Sequence, residues 1–423
     1  MRRSSPLAAV TLAIVPVVVL VVVPLVAAWT GPSSLASVGE PPGFVPERLA
    51  RVSLLLDDVV RRGEHAGASC VVWHRGQRVL QHATGLADVD TKVPMRADTI
   101  VRAYSMTKPI TAAAALVLVE RGELRLDQPI REVLPELAAP QVFVGGTAEA
   151  PQLLPAARPI TVRMLLNHTA GFSYDFYSES PLHELYRRAD LWGSDGSEQF
   201  LRRAAALPLY AQPGEQWHYG IADDVLGVLL ERRTGQSLAE IVRATVTGPL
   251  GMVDTDFDVV GERLPRLAAL HRHDGPRLVT APATFGAFAE PGRGFPAGGA
   301  GLFTTLVDYE RFARWLLGDG SLDGVRVLGR KTMELLRTDS LGAGLRTSRP
   351  ADGWGLVSAV VREPGLGTDL MSAGTLHWSG AATTTFFADP HEQLVAVLFV
   401  QHQPYDEHKL TTRFRTAVYQ ALR

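Results

Sequence analysis

The apolar positions of "PERLARVSLLLDDVVRRG" fall at Leu49, Val52, Leu56 and Val59, a spacing of three and four that stacks side chains on one face of a helix. Pro46 suits the first turn and Gly63 the cap, so the pattern predicts one amphipathic helix. The period then changes: "ASCVVWHRGQRVLQHATG" carries two apolar runs around the turn-forming Arg75–Gly76 and reads as a β-hairpin. Near the C-terminus "TTTFFADPHEQLVAVLFVQ" repeats the design across Asp389–Pro390, with a last helix expected over roughly residues 406–422. Between these ends, "PLHELYRRAD", "SEQFLRRAAALPL" and "DDVLGVLLERRTG" read as helices. Strands at both ends and helices between them imply an α+β fold: residues 46–104 and 291–423 share a sheet, and residues 105–290 form a mostly helical insert. No internal repeat at a solenoid period interrupts this plan.

Ahead of the first helix, Arg2 and Arg3 precede an apolar run from Leu7 to Trp29 broken only by Pro16 and Pro24. Residues 1–29 therefore read as a signal peptide, cleaved near Ala27–Ala28, or as an N-terminal membrane anchor with a single pass at residues 7–29. Either reading puts the rest of the chain outside the cytoplasm. The Gly-, Pro- and Ser-rich stretch that follows is expected to be a linker over residues 30–45. The 423 residues are 46% hydrophobic, enough for a large core, and a net charge of −2 offers no basic face for nucleic acid. The single cysteine, Cys70, excludes an internal disulfide and any cysteine-based metal cluster, and its apolar setting reads as a buried strand.

Lysine is rare: among 42 basic residues it occurs only at positions 92, 108, 331 and 409. Lys108 stands three residues after Ser105 in "SMTKPITAAAALVLVERG", a predicted buried helix ending at Gly122. Residues three apart on a helical turn face the same way, so amine and hydroxyl come within reach of each other. A serine becomes a nucleophile when a neighbouring base takes its proton, which a desolvated lysine can do and an always-protonated arginine cannot. The same two residues also fit a plain helix cap beside a solvated charge. Tyr219, just before the helix of "DDVLGVLLERRTG", is either a proton shuttle or a packed aromatic. Gly380 and Ala381, where a strand begins after Trp378 and Ser379, allow backbone N–H groups to approach an oxyanion.

Taken together, these segments resemble the serine-dependent class C β-lactamase-like family, which includes penicillin-binding DD-peptidases and family VIII carboxylesterases. "YSMTKPIT" is similar to its Ser-x-x-Lys motif and "PGEQWHYGIADDVLG" to its tyrosine motif. "TVRMLLNHTAGFSY", "GPLGMVDTDF" and "GGAGLFTTLVDYERFARWLL" resemble further family segments, in order, from about residue 48 to the end. The resemblance implies an antiparallel sheet flanked by helices, an inserted helical domain and a site in the groove between them. It implies Ser105 as acylated nucleophile, Lys108 and Tyr219 as its base, and the backbone N–H groups of Ser105 and Ala381 as oxyanion hole. It implies no cofactor and no metal.

Two departures bear on substrate. Where β-lactamases of the family carry Lys-Ser/Thr-Gly, this chain has Trp378-Ser379-Gly380, and Ile221 stands in place of an asparagine. A binding site made by Trp378, Ser379, Gly380 and Ile221 lacks partners for a carboxylate and an amide, so neutral esters are favoured. The expected activity is that of an exported hydrolase of short acyl esters. A DD-peptidase, a β-lactamase and an acyltransferase are the enzymatic rivals, and a tethered binder of cell-wall fragments is the non-enzymatic one. The His271-x-His273 pair in "HRHDG" is read as a polar loop lacking further metal ligands, and His168 as a structural residue. Neither "GASCVV" nor "HWSGA" forms the Gly-x-Ser-x-Gly elbow of α/β-hydrolases.

Overall fold

Residues 43–283, 289–292, 295–342 and 344–423 are described in the computed structural model; the segment read as signal peptide or anchor, and most of the linker, lie outside the described residues. Among the described residues no helix is long and apolar enough to cross a membrane. The frame is an eight-stranded sheet of β1 (Gly67–His74), β2 (Gln77–Asp88), β3 (Val93–Pro94), β4 (Asp352–Trp354), β5 (Ala359–Val361), β6 (Leu376–Gly380), β7 (Thr384–Asp389) and β8 (Leu394–Phe399). Their order is β4-β5-β6-β7-β8-β1-β2-β3, and every pairing is antiparallel. The two ends of the chain meet where β1 pairs with β8, from Ser69 opposite Phe399 to His74 opposite Leu394. Arg75 and Gly76 turn between β1 and β2 with φ of 45° and 87°, the left-handed pair that matches strand twist in a two-residue hairpin.

Five helices position the site: α1 (Pro46–Arg61), α2 (Lys108–Glu120), α3 (Ala222–Thr234), α4 (Leu306–Leu317) and α5 (Leu410–Tyr419). Alternation along the central strands divides the core between them. Cys70, Val72, Ala396 and Leu398 pack against Leu49, Val52, Leu56 and Val59 of α1 and Phe414 and Val418 of α5. Val71, Val395, Val397 and Phe399 face the other way, into the larger core with Tyr309 and Phe312 of α4 and the apolar body of α2. With both faces covered, β8 is buried at every position, which explains its unbroken "LVAVLF".

The structure departs from the sequence reading in three places. The stretch read as helix and loop also holds two hairpins, Gln141–Gly146 with Pro151–Pro155 and Leu270–Asp274 with Arg277–Ala281. The second contains "LHRHD", so His273 lies on a strand rather than a loop; its polar side chains hid the period of two. The last helix starts at Leu410 because Asp406 and Lys409 adopt φ of 49° and 54°, and the Asp406 carboxylate accepts the Thr411 N–H at 2.9 Å. Ahead of α2, residues Tyr104–Thr107 form a separate 3₁₀ turn.

Candidate active site

That 3₁₀ turn sets the first distance in the site. At three residues per turn, positions three apart eclipse, which stacks Ser105 over Lys108. Tyr104 enters the turn at φ 46°, and three bonds hold it from outside: Ala103 N–H to the Leu302 carbonyl at 2.9 Å, Leu302 N–H to Thr107 Oγ1 at 3.0 Å, and Tyr309 O–H to the Met106 carbonyl at 2.9 Å. Ser105 caps no helix, and Lys108 is only 1% exposed, so the reading of a cap beside a solvated charge does not describe this pair. Lys108 Nζ donates to the Gly299 carbonyl at 2.7 Å and to Tyr174 Oη at 2.9 Å, and lies 3.4 Å from Ser105 Oγ.

Aromatic rings enclose the amine. Lys108 Nζ stands 4.7 Å from the centre of the Tyr219 ring and 5.4 Å from that of Tyr174. The Tyr219 hydroxyl is buried and makes no hydrogen bond to the described residues, and its ring packs on Trp378 at 5.2 Å and His168 at 4.9 Å. Burial, reinforced by the nearby Asp224 carboxylate, holds the Tyr174 phenol well above its ordinary pKa, so Tyr174 serves Lys108 as a neutral partner. Asp224, at the start of α3, is itself pushed up to about 7 by burial, against the opposing pull of Lys108 and the Gly299 N–H it accepts at 2.8 Å. A Cβ at Gly299 would stand 2.5 Å from an Asp224 oxygen, so only glycine lets this carboxylate and carbonyl close over the lysine.

The other wall is the end of β6. A Cβ on Gly380 would meet the Ala103 carbonyl at 2.3 Å, so the bare backbone is what brings this strand against the Ser105 turn. Ser105 and Ala381 both border a cavity of about 500 Å³ and, beside it, a recess of about 60 Å³. Phe176, Tyr219, Trp378 and Tyr405 give the larger space an apolar, aromatic lining; Tyr174, Phe176 and Trp192 line the smaller. Trp378, Ser379 and Gly380 border the cavity. Ile221 does not: it is fully buried in the core at the start of α3, where an apolar side chain is needed for packing and cannot meet a ligand. The cation on the described wall, Arg349, is already paired with Asp352 at 2.9 Å and Asp369 at 2.8 Å.

Residues 53–420 match the Beta-lactamase family. The chain belongs to that family. It is 35% identical over 401 residues to esterase EstB of Burkholderia gladioli, covering 88% of this chain and 95% of that protein. It is 37% identical over 370 residues to protein Rv1367c of Mycobacterium tuberculosis, covering 82% of this chain and 88% of that one. Among solved structures, "EstCE1, a hydrolase with promiscuous acyltransferase activity" superposes with a TM-score of 0.76 at 27% identity, over 88% of this chain and 99% of its own. Simvastatin synthase (LovD) of Aspergillus terreus gives 0.77 at 25%, over 88% and 98%. Within the Beta-lactamase family the chain stands with the esterase-type members, and the expected antiparallel sheet flanked by helices is the fold observed.

Family segments also place residues that spacing alone did not single out. Tyr174 lies in the quoted "HTAGFSY", where its hydroxyl could have been suspected; the Gly299 carbonyl carries no side-chain signal at all. His168, 3.1 Å from Asp223, ties the "NHTAG" loop to α3, and burial lowers its pKa, so it supports the wall in its neutral form. Cys70 is buried in β1 with its thiol pushed up to about 12, which leaves it inert. The His-x-His reading needs correction: His273 is joined by His402, Glu407 and His408 from the other end of the chain, while His271 turns away to bond the Val89 N–H and the Gln401 carbonyl.

Proposed function

We propose that this protein hydrolyses neutral carboxylic esters with short acyl groups through an acyl-enzyme on Ser105. The observation that carries the reading is the set of contacts around Lys108. As a neutral amine it has two N–H donors, and the Gly299 carbonyl and Tyr174 Oη receive them. Its lone pair is then left for the Ser105 hydroxyl 3.4 Å away. As the Ser105 Oγ–carbon bond forms, the serine proton passes to Lys108 Nζ, and the Ser105 and Ala381 N–H groups take up the oxyanion. Collapse breaks the bond to the alcohol oxygen, which leaves with a proton relayed from Lys108 through the Tyr219 hydroxyl. Water then attacks the acyl-enzyme by the same proton path and frees Ser105.

The two spaces divide the ester between them. At about 15 Å³ for each water-sized group, the 60 Å³ recess accepts an acyl chain of a few heavy atoms. The 500 Å³ cavity takes the alcohol. Trp378 occupies the place where the resemblance would put a lysine, and Arg349 is already paired with Asp352 and with Asp369, the latter shared with Arg415, which supports neutral substrates over β-lactams and peptide C-termini. Turnover of p-nitrophenyl esters of increasing acyl length tests this: rates should peak at the short chains and vanish in Ser105→Ala, and a preference for long chains would contradict it. The width of the alcohol side supports acyl transfer as a second reading, in line with the acyltransferases named among the relatives. Export remains part of the proposal on the strength of Arg2, Arg3 and the Leu7–Trp29 run.

A further inference from the structure

Just past the end of the central strand β8, outside the Ser105 cavity, three separate stretches bring four metal-binding side chains together: His273 from the Leu270–Asp274 strand, His402 just past β8, and Glu407 and His408 from the turn before α5. One ligand atom from each lies within 4.8 Å of all the others. His273 Nε2 and His408 Nε2 are 3.4 Å apart, His402 Nε2 and Glu407 Oε2 3.0 Å, and His408 Nε2 and Glu407 Oε2 3.9 Å. A four-coordinate zinc with bonds of about 2.0–2.1 Å spaces its ligand atoms roughly 3.3 Å apart, so the group is close to a tetrahedral cage before any ion enters.

Hydrogen bonding alone leaves this cluster poorly satisfied. His65, 1% exposed, stacks edge-on against His402 at 4.8 Å and His408 at 5.3 Å, and neither of its ring nitrogens has a partner among the described residues. His402 Nδ1 is likewise buried and unpaired. His273 Nε2 and His408 Nε2 face each other at 3.4 Å, where two neutral imidazoles can share at most one proton; a cation between them would accept both lone pairs. Three imidazoles and one carboxylate, with no thiolate, form a donor set suited to a borderline divalent ion such as Zn²⁺.

The mounting is stiff. Asp406 fixes the turn that presents Glu407 and His408, accepting Thr411 N–H and O–H at 2.9 and 2.6 Å while its own N–H bonds Thr383 Oγ1 at 3.0 Å. Thr383 O–H bonds the His402 carbonyl at 3.2 Å, and the His402 N–H bonds the Ala382 carbonyl at 3.2 Å. His402 is sealed from solvent, whereas Glu407 and His408 are partly exposed and offer an entry path.

We propose that His273, His402, Glu407 and His408 form a structural site for a zinc-class divalent cation, with His65 as its buried backing. None of the four borders the Ser105 cavity, but Tyr405, in the same turn, does, and Ala382 is adjacent to Ala381. The ion would therefore clamp the hairpin to the turn that shapes the cavity, without taking part in the acyl chemistry. The experiment uses untagged protein stripped with a chelator and titrated separately with Zn²⁺ and Co²⁺. The expected result is one tightly held equivalent, the visible absorption of four-coordinate cobalt, and a higher melting temperature with metal. His273→Ala and the more conservative His408→Gln should each weaken binding by more than ~10-fold and lose the metal-dependent shift. The exposed His391→Ala should change neither. Stoichiometric binding that survives in both cage variants, or no binding by the native protein, overturns the proposal.

Discussion

In the proposed mechanism Lys108 is the base, and arginine is its most informative replacement. A guanidinium stays protonated and offers no lone pair to take the Ser105 proton, so Lys108→Arg should lower kcat/KM for a short p-nitrophenyl ester by about 10²–10⁴-fold. Tyr219→Phe should fall in the same range. Tyr174→Phe removes only a neutral hydrogen bond to the amine, on the order of 1 kcal/mol, and should cost roughly fivefold. A much larger loss in Tyr174→Phe than in Tyr219→Phe would mean that the two phenols are assigned the wrong way round. Asp224 gives a pH signature. Its folded pKa is raised to about 7 from an ordinary carboxylate value, so the folded chain holds a proton that the unfolded chain has released. Stability from this group is full below about pH 4 and is lost as pH rises towards 7. Asp224→Asn carries no such dependence. Its melting temperature relative to the native protein should therefore climb between pH 5 and pH 8; a constant difference would show that Asp224 does not titrate there.

At the scale of elements, β6 and the Ser105 turn act as one unit because Gly380 lets their backbones touch. Gly380→Ala adds a Cβ at 2.3 Å from the Ala103 carbonyl and 2.4 Å from Thr384 Oγ1. Overpacking of this kind costs about 1–3 kcal/mol, and the strand must retreat from Ser105. The expected outcome is a lower melting temperature in thermal denaturation together with a loss of esterase activity greater than the unfolded fraction explains. Elements with a strong apolar period were legible from the chain alone: Leu49, Val52, Leu56 and Val59 are all buried on α1, and the Arg75–Gly76 hairpin forms where its turn residues require it. "LHRHD" was not legible, because two of its inward positions are histidines, His271 buried and His273 half-buried, held by distant partners. The start of α5 was likewise misplaced, since a left-handed turn at Asp406–Lys409 leaves no mark on hydrophobic spacing.

For the whole molecule, the closing of β1 against β8 determines which parts of the site a sequence can disclose. Ser105 and Lys108 are neighbours in the chain, so their pairing was readable; Ile221, adjacent to a motif, was assigned to the wall and instead fills the core. The Gly299 carbonyl, Arg349 and Tyr405 reach the site only through the fold. An apolar cavity whose wall cation is already paired with two carboxylates should rank substrates in one order: short neutral esters first, a chromogenic cephalosporin and a D-Ala-D-Ala peptide far behind. Steady-state rates on the three substrates check this, and a faster cephalosporin or peptide would reverse the substrate assignment. The central claim, an acyl-enzyme on Ser105, is tested most directly by mass spectrometry of protein quenched during turnover of a short p-nitrophenyl ester. The acyl mass should appear on the peptide containing Ser105 and be absent from Ser105→Ala, which should also turn over no ester; acylation elsewhere, or undiminished turnover by Ser105→Ala, would contradict the mechanism.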